Sequence, residues 1–283
     1  MCQIIDGAAV AKKIREEIKK DTQLLLKNKG IIPGLIVLLV GDNPASQIYV
    51  KHKVKACLEV GFNSQVIKLS ADTSEEHVLQ TINKLNLEPE IHGILVQLPL
   101  PEHIREEKVI AAISPKKDVD GFHPINMGKL LTGKPRFVAC TPFGCLKLLE
   151  EYGIDMNGKH AVVVGRSNIV GKPIAALLLH KNATVTVCHS RTVNLAGITR
   201  QADILVAAIG KPKFITDEMI KPGAIVLDVG INRLATGKVV GDVDFAAACK
   251  IAGMITPVPR GVGPMTIAML LTNTLKAVNY LYE

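Results

Sequence analysis

The chain has 283 residues, of which 48% are hydrophobic and only 4% are aromatic. This composition excludes a disordered chain and favours about two domains with aliphatic cores, as in parallel α/β sheets. The formal net charge is +8, but no basic block is interleaved with aromatic residues, so an anionic small molecule is a better partner than nucleic acid.

Sequence patterns for metal binding, secretion and membrane insertion are not found. The six cysteines form no C-x-x-C pair, and several lie in apolar runs, as is typical of reduced thiols in a cytoplasmic protein. The eight histidines form no H-x-x-x-H pair, so we expect no metal site. We also expect no signal peptide and no membrane contact, because no apolar run is long enough to cross a bilayer.

The first part of the chain alternates helical and strand patterns, which predicts parallel strands joined by helices. The predicted elements are a helix over 8–29, a strand over 35–40, a helix over 44–60, a strand over 63–69, a helix from Thr73 or Ser74 to about Leu87, a strand over 91–98 and a helix over about 102–113.

The second part repeats the alternation after a short helix over 126–131 and a connecting helix over 140–152. Because both sheets are complete before the last helix begins, we expect that helix to pack back on the first domain. The remaining predicted elements are strands near 161–164, 184–188, 204–208 and 225–229, an edge element over 238–243, a stiff loop over 256–264 and a helix from 265 to about 282.

The turn after the strand at 161–164 is a candidate anion site. It places Gly165 and Gly171 on either side of Ser167, which departs from the usual G-x-G-x-x-G dinucleotide pattern. A turn between a buried strand and a helix nevertheless presents backbone N–H groups to an anion. The alternative is an ordinary turn without a ligand.

The end of the next strand indicates which dinucleotide would bind. An NAD-binding unit usually has Asp or Glu about 20 residues beyond the turn, where it accepts from the ribose 2′-hydroxyl. This chain has His189, Ser190 and Arg191 there instead. A hydroxyl and a guanidinium suit a 2′-phosphate, and Arg166 in the turn is a second candidate for the same group. We therefore predict NADP, the alternative being a solvated basic loop.

Four polar residues in the first part form a second candidate constellation. Tyr49 and Lys53 are four apart in a predicted helix and share one face. Gln97 ends a buried strand, and Asp120 lies in the loop after the next helix. Ligands of open α/β sheets bind beyond the carboxyl ends of strands. Taken singly, each residue also fits a plain structural role on a helix face, a strand end or a turn.

Six longer motifs occur in order nearly from end to end: SxxYVxxK at 46–53, GILVQLPLP at 93–101, KDVDGFHPxN at 117–126, GRSxxVGKP at 165–173, DVGIN at 228–232 and GVGPMT at 261–266. Together they resemble the bifunctional methylenetetrahydrofolate dehydrogenase/methenyltetrahydrofolate cyclohydrolase family. One departure is Arg260, which stands where the family usually has the first glycine of P-G-G-V-G-P. We expect no formyltetrahydrofolate ligase domain.

The resemblance implies that the enzyme oxidises 5,10-methylenetetrahydrofolate with NADP and hydrolyses the methenyl product to 10-formyltetrahydrofolate. By motif, Lys53 is the catalytic amine, Gln97 its orienting partner, Tyr49 an aromatic platform and Asp120 the pterin contact. The resemblance also implies further contacts. Substrate contacts are Gly263 and Pro264, and NADP contacts are Gly165, Arg166, Ser167, Ser190, Arg191 and the backbone at Ile231.

The resemblance also predicts the domains and partners. Residues 1–140 and 265–283 form a folate-binding catalytic domain, and 141–264 form a Rossmann-like NADP-binding domain. Expected partners are tetrahydrofolate derivatives, with or without a polyglutamate tail, and a second copy of the chain in a homodimer. The expected role is in one-carbon metabolism and purine biosynthesis.

Three alternative functions remain at this point: an NADP sensor with an inactive substrate site, a dehydrogenase for another small anion, and an enzyme with the dehydrogenase step alone. Arg260 also leaves two possibilities. If its φ is positive, the strained backbone is offset by a guanidinium contact with a cofactor phosphate or the folate tail. If its φ is negative, the side chain is simply solvated.

Overall fold

The computed structural model describes residues 2–282, which divide into two compact units. The large-sheet unit contains residues up to Lys12 together with Ala139–Met269, and the small-sheet unit contains Lys13–Val138 and the residues from Leu270 onward. The predicted class, two α/β domains of which the second carries a parallel sheet, is confirmed.

Helices and strands alternate along most of the chain. The first part contains β1 (Gln3–Ile4), α1 (Gly7–Lys29), β2 (Gly34–Val40), α2 (Pro44–Glu59), β3 (Asn63–Leu69), α3 (Glu75–Leu87), β4 (Gly93–Val96), α4 (Glu106–Ala112) and α5 (Pro124–Leu131). The second part contains α6 (Cys140–Glu151), β5 (His160–Val164), α7 (Gly171–His180), β6 (Thr184–Cys188), α8 (Leu195–Thr199), β7 (Ile204–Ala207), β8 (Ile225–Asp228), β9 (Asn232–Arg233), β10 (Val239–Val240), α9 (Phe245–Ala248), β11 (Met254–Ile255) and α10 (Val262–Tyr282).

The small-sheet unit is built on three parallel strands in the order β3-β2-β4. The central strand β2 is buried along its whole length, which explains its unbroken run of apolar residues. The end of α10 packs into this unit, because Asn273 Nδ2 donates to the carbonyls of Val119 at 2.8 Å and Val138 at 2.9 Å. The predicted return of the last helix to the first domain is therefore confirmed.

The large-sheet unit is built on six parallel strands in the order β1-β11-β8-β7-β5-β6. Strands β5 and β7 are buried almost throughout, as their apolar composition predicts. Strands β1 and β11, of two residues each, were not predicted, because so short a segment shows no periodicity. The predicted edge element over 238–243 is β10, which pairs with β9 in a separate antiparallel ladder.

Several predicted boundaries differ by a few residues. Strand β4 is shorter than the predicted 91–98. Its last hydrogen bond to β2 is from the Gln97 amide to the Leu38 carbonyl, and the chain leaves the sheet after that residue. Helix α4 begins at Glu106 rather than near 102, because residues 101–104 form a turn closed by the Pro101 carbonyl. Helix α5 begins two residues earlier than predicted, with a proline in its first turn.

Candidate active site

Lys53 and Gln97 meet at the carboxyl edge of the small sheet. Helix α2 follows β2 and is capped by Asn43, whose side-chain oxygen accepts from the amides of Ala45 and Ser46. Helical side chains lean toward the N-terminus, so Lys53 points back toward the strand ends. Its Nζ donates to Gln97 Oε1 at 3.0 Å, and Gln97 Nε2 donates to the carbonyl of Leu98 at 2.7 Å.

These two side chains differ in exposure from Tyr49, which lies one turn before Lys53 on α2. Lys53 is only 9% exposed, whereas Tyr49 is 41% exposed. A buried amine is held by a neutral amide, and an exposed phenol lies one helical turn before it. This arrangement suits a flat ligand that covers the ring and brings a reacting atom to the amine.

Asp120 lies in a loop that the neighbouring Asp118 organises. The backbone of Asp118 bridges to Ile94 of β4. Its carboxylate accepts from the His123 amide at 2.9 Å, the Phe122 amide at 3.2 Å and Asn126 Nδ2 at 2.8 Å. The loop is therefore tied to the sheet on one side and to α5 on the other, which fixes the backbone at Asp120.

Burial dominates the electrostatics of Asp118. The pKa of the Asp118 carboxyl is raised from 3.8 to about 7: burial is the largest cause and the nearby Asp120 adds to it, while the hydrogen bonds from Asn126 and the His123 and Phe122 amides oppose the rise. Asp120 itself is half-buried. The loop thus holds one enclosed carboxyl as a structural anchor and a second carboxylate that is more accessible.

The sequence analysis did not identify the three residues that hold this loop in place, which are Asp118, Asn126 and Asn273. Asn273 lies 154 residues from Val119, whose carbonyl it binds. For Asp118 a local signal was available, because it is the first of the two acids in the KDVDG motif. No local signal points from Asn273 to this loop, because the contact depends on the return of α10 to the small-sheet unit.

The predicted anion turn lies between β5 and α7 in the large-sheet unit. Gly165 has φ of +132°, and a Cβ there would collide with the Ala208 carbonyl. A Cβ on Gly171 would collide with the Gly165 carbonyl. Ser167 Oγ accepts from the amides of Val170 at 3.2 Å and Gly171 at 3.3 Å. The two glycines permit this close packing, and Ser167 Oγ satisfies two amides just where α7 begins.

Ser190 and Arg191 follow β6 beside this turn. The register pairs Val164 with Cys188, and the Gly165 amide donates to the Cys188 carbonyl at 2.9 Å. The side chains of Ser190, Arg191 and Arg166 are exposed. Within residues 2–282, neither arginine makes an ion pair. A tight glycine turn, two uncommitted guanidinium groups and a hydroxyl without a competing acid together fit a dinucleotide with a 2′-phosphate.

Ile231 and Gly263 lie next to each other in the large-sheet unit. Ile231 follows β8 and is 51% exposed. A Cβ built on Gly263 would lie 3.6 Å from Ile231 Cδ1. Pro264 is half-buried in the first turn of α10, where proline is well tolerated. The predicted cofactor contact at Ile231 and the predicted substrate contact at Gly263 are therefore neighbours.

Arg260 has a positive φ of 85°, so the alternative of an unstrained backbone with negative φ is wrong. Its guanidinium meets a carboxylate of the chain itself: Nη2 lies 3.1 Å from Asp6 Oδ2, and the Arg260 carbonyl accepts from the Ala8 amide at 2.9 Å. Both charged side chains are well exposed, at 69% and 38%. The contact fastens the start of α1 to the 256–264 loop.

Residues 2–282 contain neither a metal-binding cluster nor a membrane-spanning helix. No group of three or more histidine, cysteine, aspartate or glutamate side chains is placed to hold a metal ion. No helix in this range is long and apolar enough to cross a bilayer.

Comparison with known proteins assigns the family. Residues 5–120 match the family described as tetrahydrofolate dehydrogenase/cyclohydrolase, catalytic domain, and residues 139–281 match its NAD(P)-binding domain. The bifunctional protein FolD of Acidovorax ebreus is 60% identical over 280 residues, which cover 99% of each chain.

Two solved structures are similar over nearly the whole chain. The bifunctional FolD methylenetetrahydrofolate dehydrogenase/cyclohydrolase of Campylobacter jejuni is 53% identical, with a TM-score of 0.97 and 99% coverage of both chains. The enzyme of Trypanosoma brucei, solved with NADP cofactor and inhibitor, is 42% identical, with a TM-score of 0.95 and coverage of 99% and 98%. The motifs, the fold and these similarities agree, and the chain belongs to the tetrahydrofolate dehydrogenase/cyclohydrolase family.

Proposed function

We propose that this chain oxidises 5,10-methylenetetrahydrofolate to the 5,10-methenyl compound with NADP and then hydrolyses that compound to 10-formyltetrahydrofolate. The observation that carries the proposal is the buried amine of Lys53, held at 3.0 Å by Gln97 beside the open ring of Tyr49. Family membership supports both activities. NADP, when bound, supplies the hydride acceptor of the first step.

Substrate binding is assigned to residues that present matching chemistry. The 2-amino-4-oxopterin edge has adjacent N–H donors, which the Asp120 carboxylate accepts together. The ring of Tyr49 offers a flat apolar surface for the folate. We assign Gly263 and Pro264 as further substrate contacts, where the lack of a side chain at Gly263 leaves its backbone accessible.

The hydrolytic step is assigned to Lys53. Methenyltetrahydrofolate carries a positive charge spread over N5, the bridging carbon and N10. Water attacks that carbon and loses one proton to the amine, which leaves a hydroxyl on the carbon. As the bond from carbon to N5 breaks, the hydroxyl loses its proton and becomes the formyl C=O, and N5 gains a proton, so that one proton is released overall. Gln97 orients the amine by hydrogen bonding without adding a charge. During hydride transfer no base is needed, so Lys53 then serves only alignment.

Cofactor binding is assigned to the large-sheet unit. Gly165, Arg166 and Ser167 form the turn that faces the pyrophosphate, Ser190 and Arg191 take the 2′-phosphate, and the Ile231 backbone supports the nicotinamide. We accordingly assign residues 141–264 to the NADP-binding domain, and 1–140 with 265–283 to the catalytic domain. The two compact units support this division in outline, although residues up to Lys12 and Met265–Met269 group with the large sheet.

The wider role follows from the product. We infer that the chain acts in the cytoplasm, as a homodimer, on folates with or without a polyglutamate tail, and supplies formyl groups for purine biosynthesis. Light scattering on the purified protein tests the homodimer, and a mass of one chain contradicts it.

Separate assays of the two steps test the proposal. The purified chain is given methylenetetrahydrofolate with NADP or NAD while reduced cofactor is measured, and methenyltetrahydrofolate alone while its decay is compared with a protein-free control. Turnover in both assays is expected. Reduced cofactor without accelerated methenyl decay would indicate a dehydrogenase alone, and cofactor binding without turnover would indicate a sensor.

A further inference from the structure

Two buried aspartates in the large-sheet unit have no part in the mechanism above. Asp228 ends β8 and is 3% exposed, and Asp242 follows β10 and is 0% exposed. Asp228 Oδ1 accepts from the amides of Gly230 at 3.0 Å and Asp242 at 2.9 Å, and its Oδ2 accepts from the Val243 amide at 3.0 Å. Asp228 therefore fixes the segment that carries Asp242.

Asp242 in turn joins the loops that follow two neighbouring strands. Its Oδ2 accepts from the amides of Ile209 at 2.6 Å and Gly210 at 2.9 Å, just beyond β7. Its Oδ1 accepts from Asn232 Nδ2 at 2.8 Å, just beyond β8. One carboxylate thus sets the spacing of the chain after β7 and the chain after β8.

The fit around the two carboxylates is tight. A Cβ on Gly230 would collide with Asp242 Oδ1, and a Cβ on Gly241 would collide with Asp228 Oδ2. The pKa of Asp228 is raised from 3.8 to about 6, chiefly by burial and also by the charge of Asp242, against the opposing effect of the three amide hydrogen bonds. Two enclosed acids of like charge cost stability, and such costs are expected mainly where function needs a fixed geometry.

The strand order indicates which part of the cofactor the loops after β7 and β8 would contact. Ser190 and Arg191 follow β6, Gly165 follows β5, and β7 and β8 lie on the other side of β5. If the 2′-phosphate binds beyond β6 and the pyrophosphate at the Gly165 turn, the nicotinamide half of the dinucleotide would extend over the ends of β7 and β8. Ile231, which follows β8, would then lie beside it.

We propose that Asp242, held by Asp228, is a positioning residue that fixes the backbone at Gly210 and Ile231 for the nicotinamide half of NADP. The inference rests on the proposed function and deepens it. The carboxylate does not touch the cofactor. It acts by holding the two loops at one separation.

Isothermal titration of Asp242→Asn with two ligands tests the inference. One ligand is NADP, and the other is adenosine 2′,5′-bisphosphate, which has the 2′-phosphate end but no nicotinamide. In the variant an NH₂ group or a weaker neutral acceptor faces the Ile209 and Gly210 amides. The dissociation constant for NADP should rise on the order of tenfold, the factor expected for one lost charge-assisted hydrogen bond, and that for the fragment should stay unchanged.

Two further variants serve as a control and as a second, independent test. Asp203→Asn is the matched control, because Asp203 lies at the opposite end of β7 and accepts from the His160 amide and Lys221 Nζ; neither dissociation constant should change. Asn232→Ala removes one contact of Asp242 and should give a smaller selective loss for NADP, which keeps the test valid if Asp242→Asn does not fold.

The outcomes separate the inference from the proposed function. Equal weakening of NADP and the fragment, or unchanged NADP binding, would overturn the positioning role. If the unmutated protein binds neither ligand, the proposed function itself fails. In the assays, the Asp242 variant should show a raised KM for NADP, while hydrolysis of supplied methenyltetrahydrofolate, which needs no cofactor, proceeds as in the unmutated protein.

Discussion

Replacing Lys53 with methionine should nearly abolish hydrolysis of methenyltetrahydrofolate. The Lys53 side chain is 9% exposed, and its Nζ donates to Gln97 at 3.0 Å. Methionine keeps the length of the apolar stem, with sulfur in place of one methylene, and removes the amine. The loss of one hydrogen bond should lower the free energy of unfolding by about 1 kcal/mol, so the variant should fold.

The expected magnitude follows from the role of the amine. A positioned general base typically contributes about 10² to 10⁴ in rate, which corresponds to roughly 3–5 kcal/mol in the activation barrier. We therefore expect hydrolysis to slow by about 100-fold or more. Hydride transfer forms the cation directly and needs no base, so the dehydrogenase rate should fall much less.

Both rates should be measured on the same purified preparation, as methenyl decay above the spontaneous rate and as NADPH formation. Lys55→Met is the matched control, because Lys55 lies two residues further along α2 with its side chain 78% exposed. That control should leave both rates unchanged. Hydrolysis by the Lys53 variant at near the unmutated rate would refute the assignment of Lys53 as the catalytic amine.

Four other changes test separate parts of the account. Ser190→Asp should weaken NADP binding by roughly 1.5–3 kcal/mol and NAD binding much less; equal use of both cofactors by the unmutated protein would contradict the predicted preference. Arg260→Gly relieves about 1 kcal/mol of backbone strain and removes an exposed ion pair worth up to about 1 kcal/mol, so chemical denaturation should show little change and neither KM should rise several-fold. Asn273→Ala removes the hydrogen bonds from Nδ2 to the carbonyls of Val119 and Val138, which should cost about 1–3 kcal/mol of unfolding free energy and raise the KM for folate through the adjacent Asp120. Because burial raises the pKa of Asp118 from 3.8 to about 7, its contribution to stability should fall as pH rises through that interval; the stability gap between the unmutated protein and Asp118→Asn should shrink from pH 5 to pH 8, and a gap that widens in thermal unfolding would contradict this reasoning.

Local patterns were sufficient to predict most of the regular structure. The apolar run of β2, the proline at the start of α2 and the glycine turn after β5 all have short-range physical causes. The same patterns predicted that Gln97 ends a strand and that Lys53 lies on a helix face, because each of these features can be recognised within a few residues. The motifs then favoured their catalytic interpretation over a structural one.

Long-range hydrogen bonds could not be predicted in this way. The amide of Ile209 and the carboxylate of Asp242 are 33 residues apart, and no spacing rule connects them. The ion pair between Arg260 and Asp6 spans 254 residues, so the sequence suggested an external anion as the partner of Arg260. A side chain's partner depends on where the strands and loops meet, which local propensity does not determine.

The central claim is that one chain oxidises methylenetetrahydrofolate and then hydrolyses the product. The most direct measurement incubates the purified protein with methylenetetrahydrofolate and NADP in ¹⁸O-labelled water and analyses the products by mass spectrometry. We predict equal amounts of NADPH and 10-formyltetrahydrofolate, with the labelled oxygen in the formyl group, formed faster than methenyltetrahydrofolate hydrolyses without protein. NADPH accompanied by methenyltetrahydrofolate that decays only at the protein-free rate would contradict the claim.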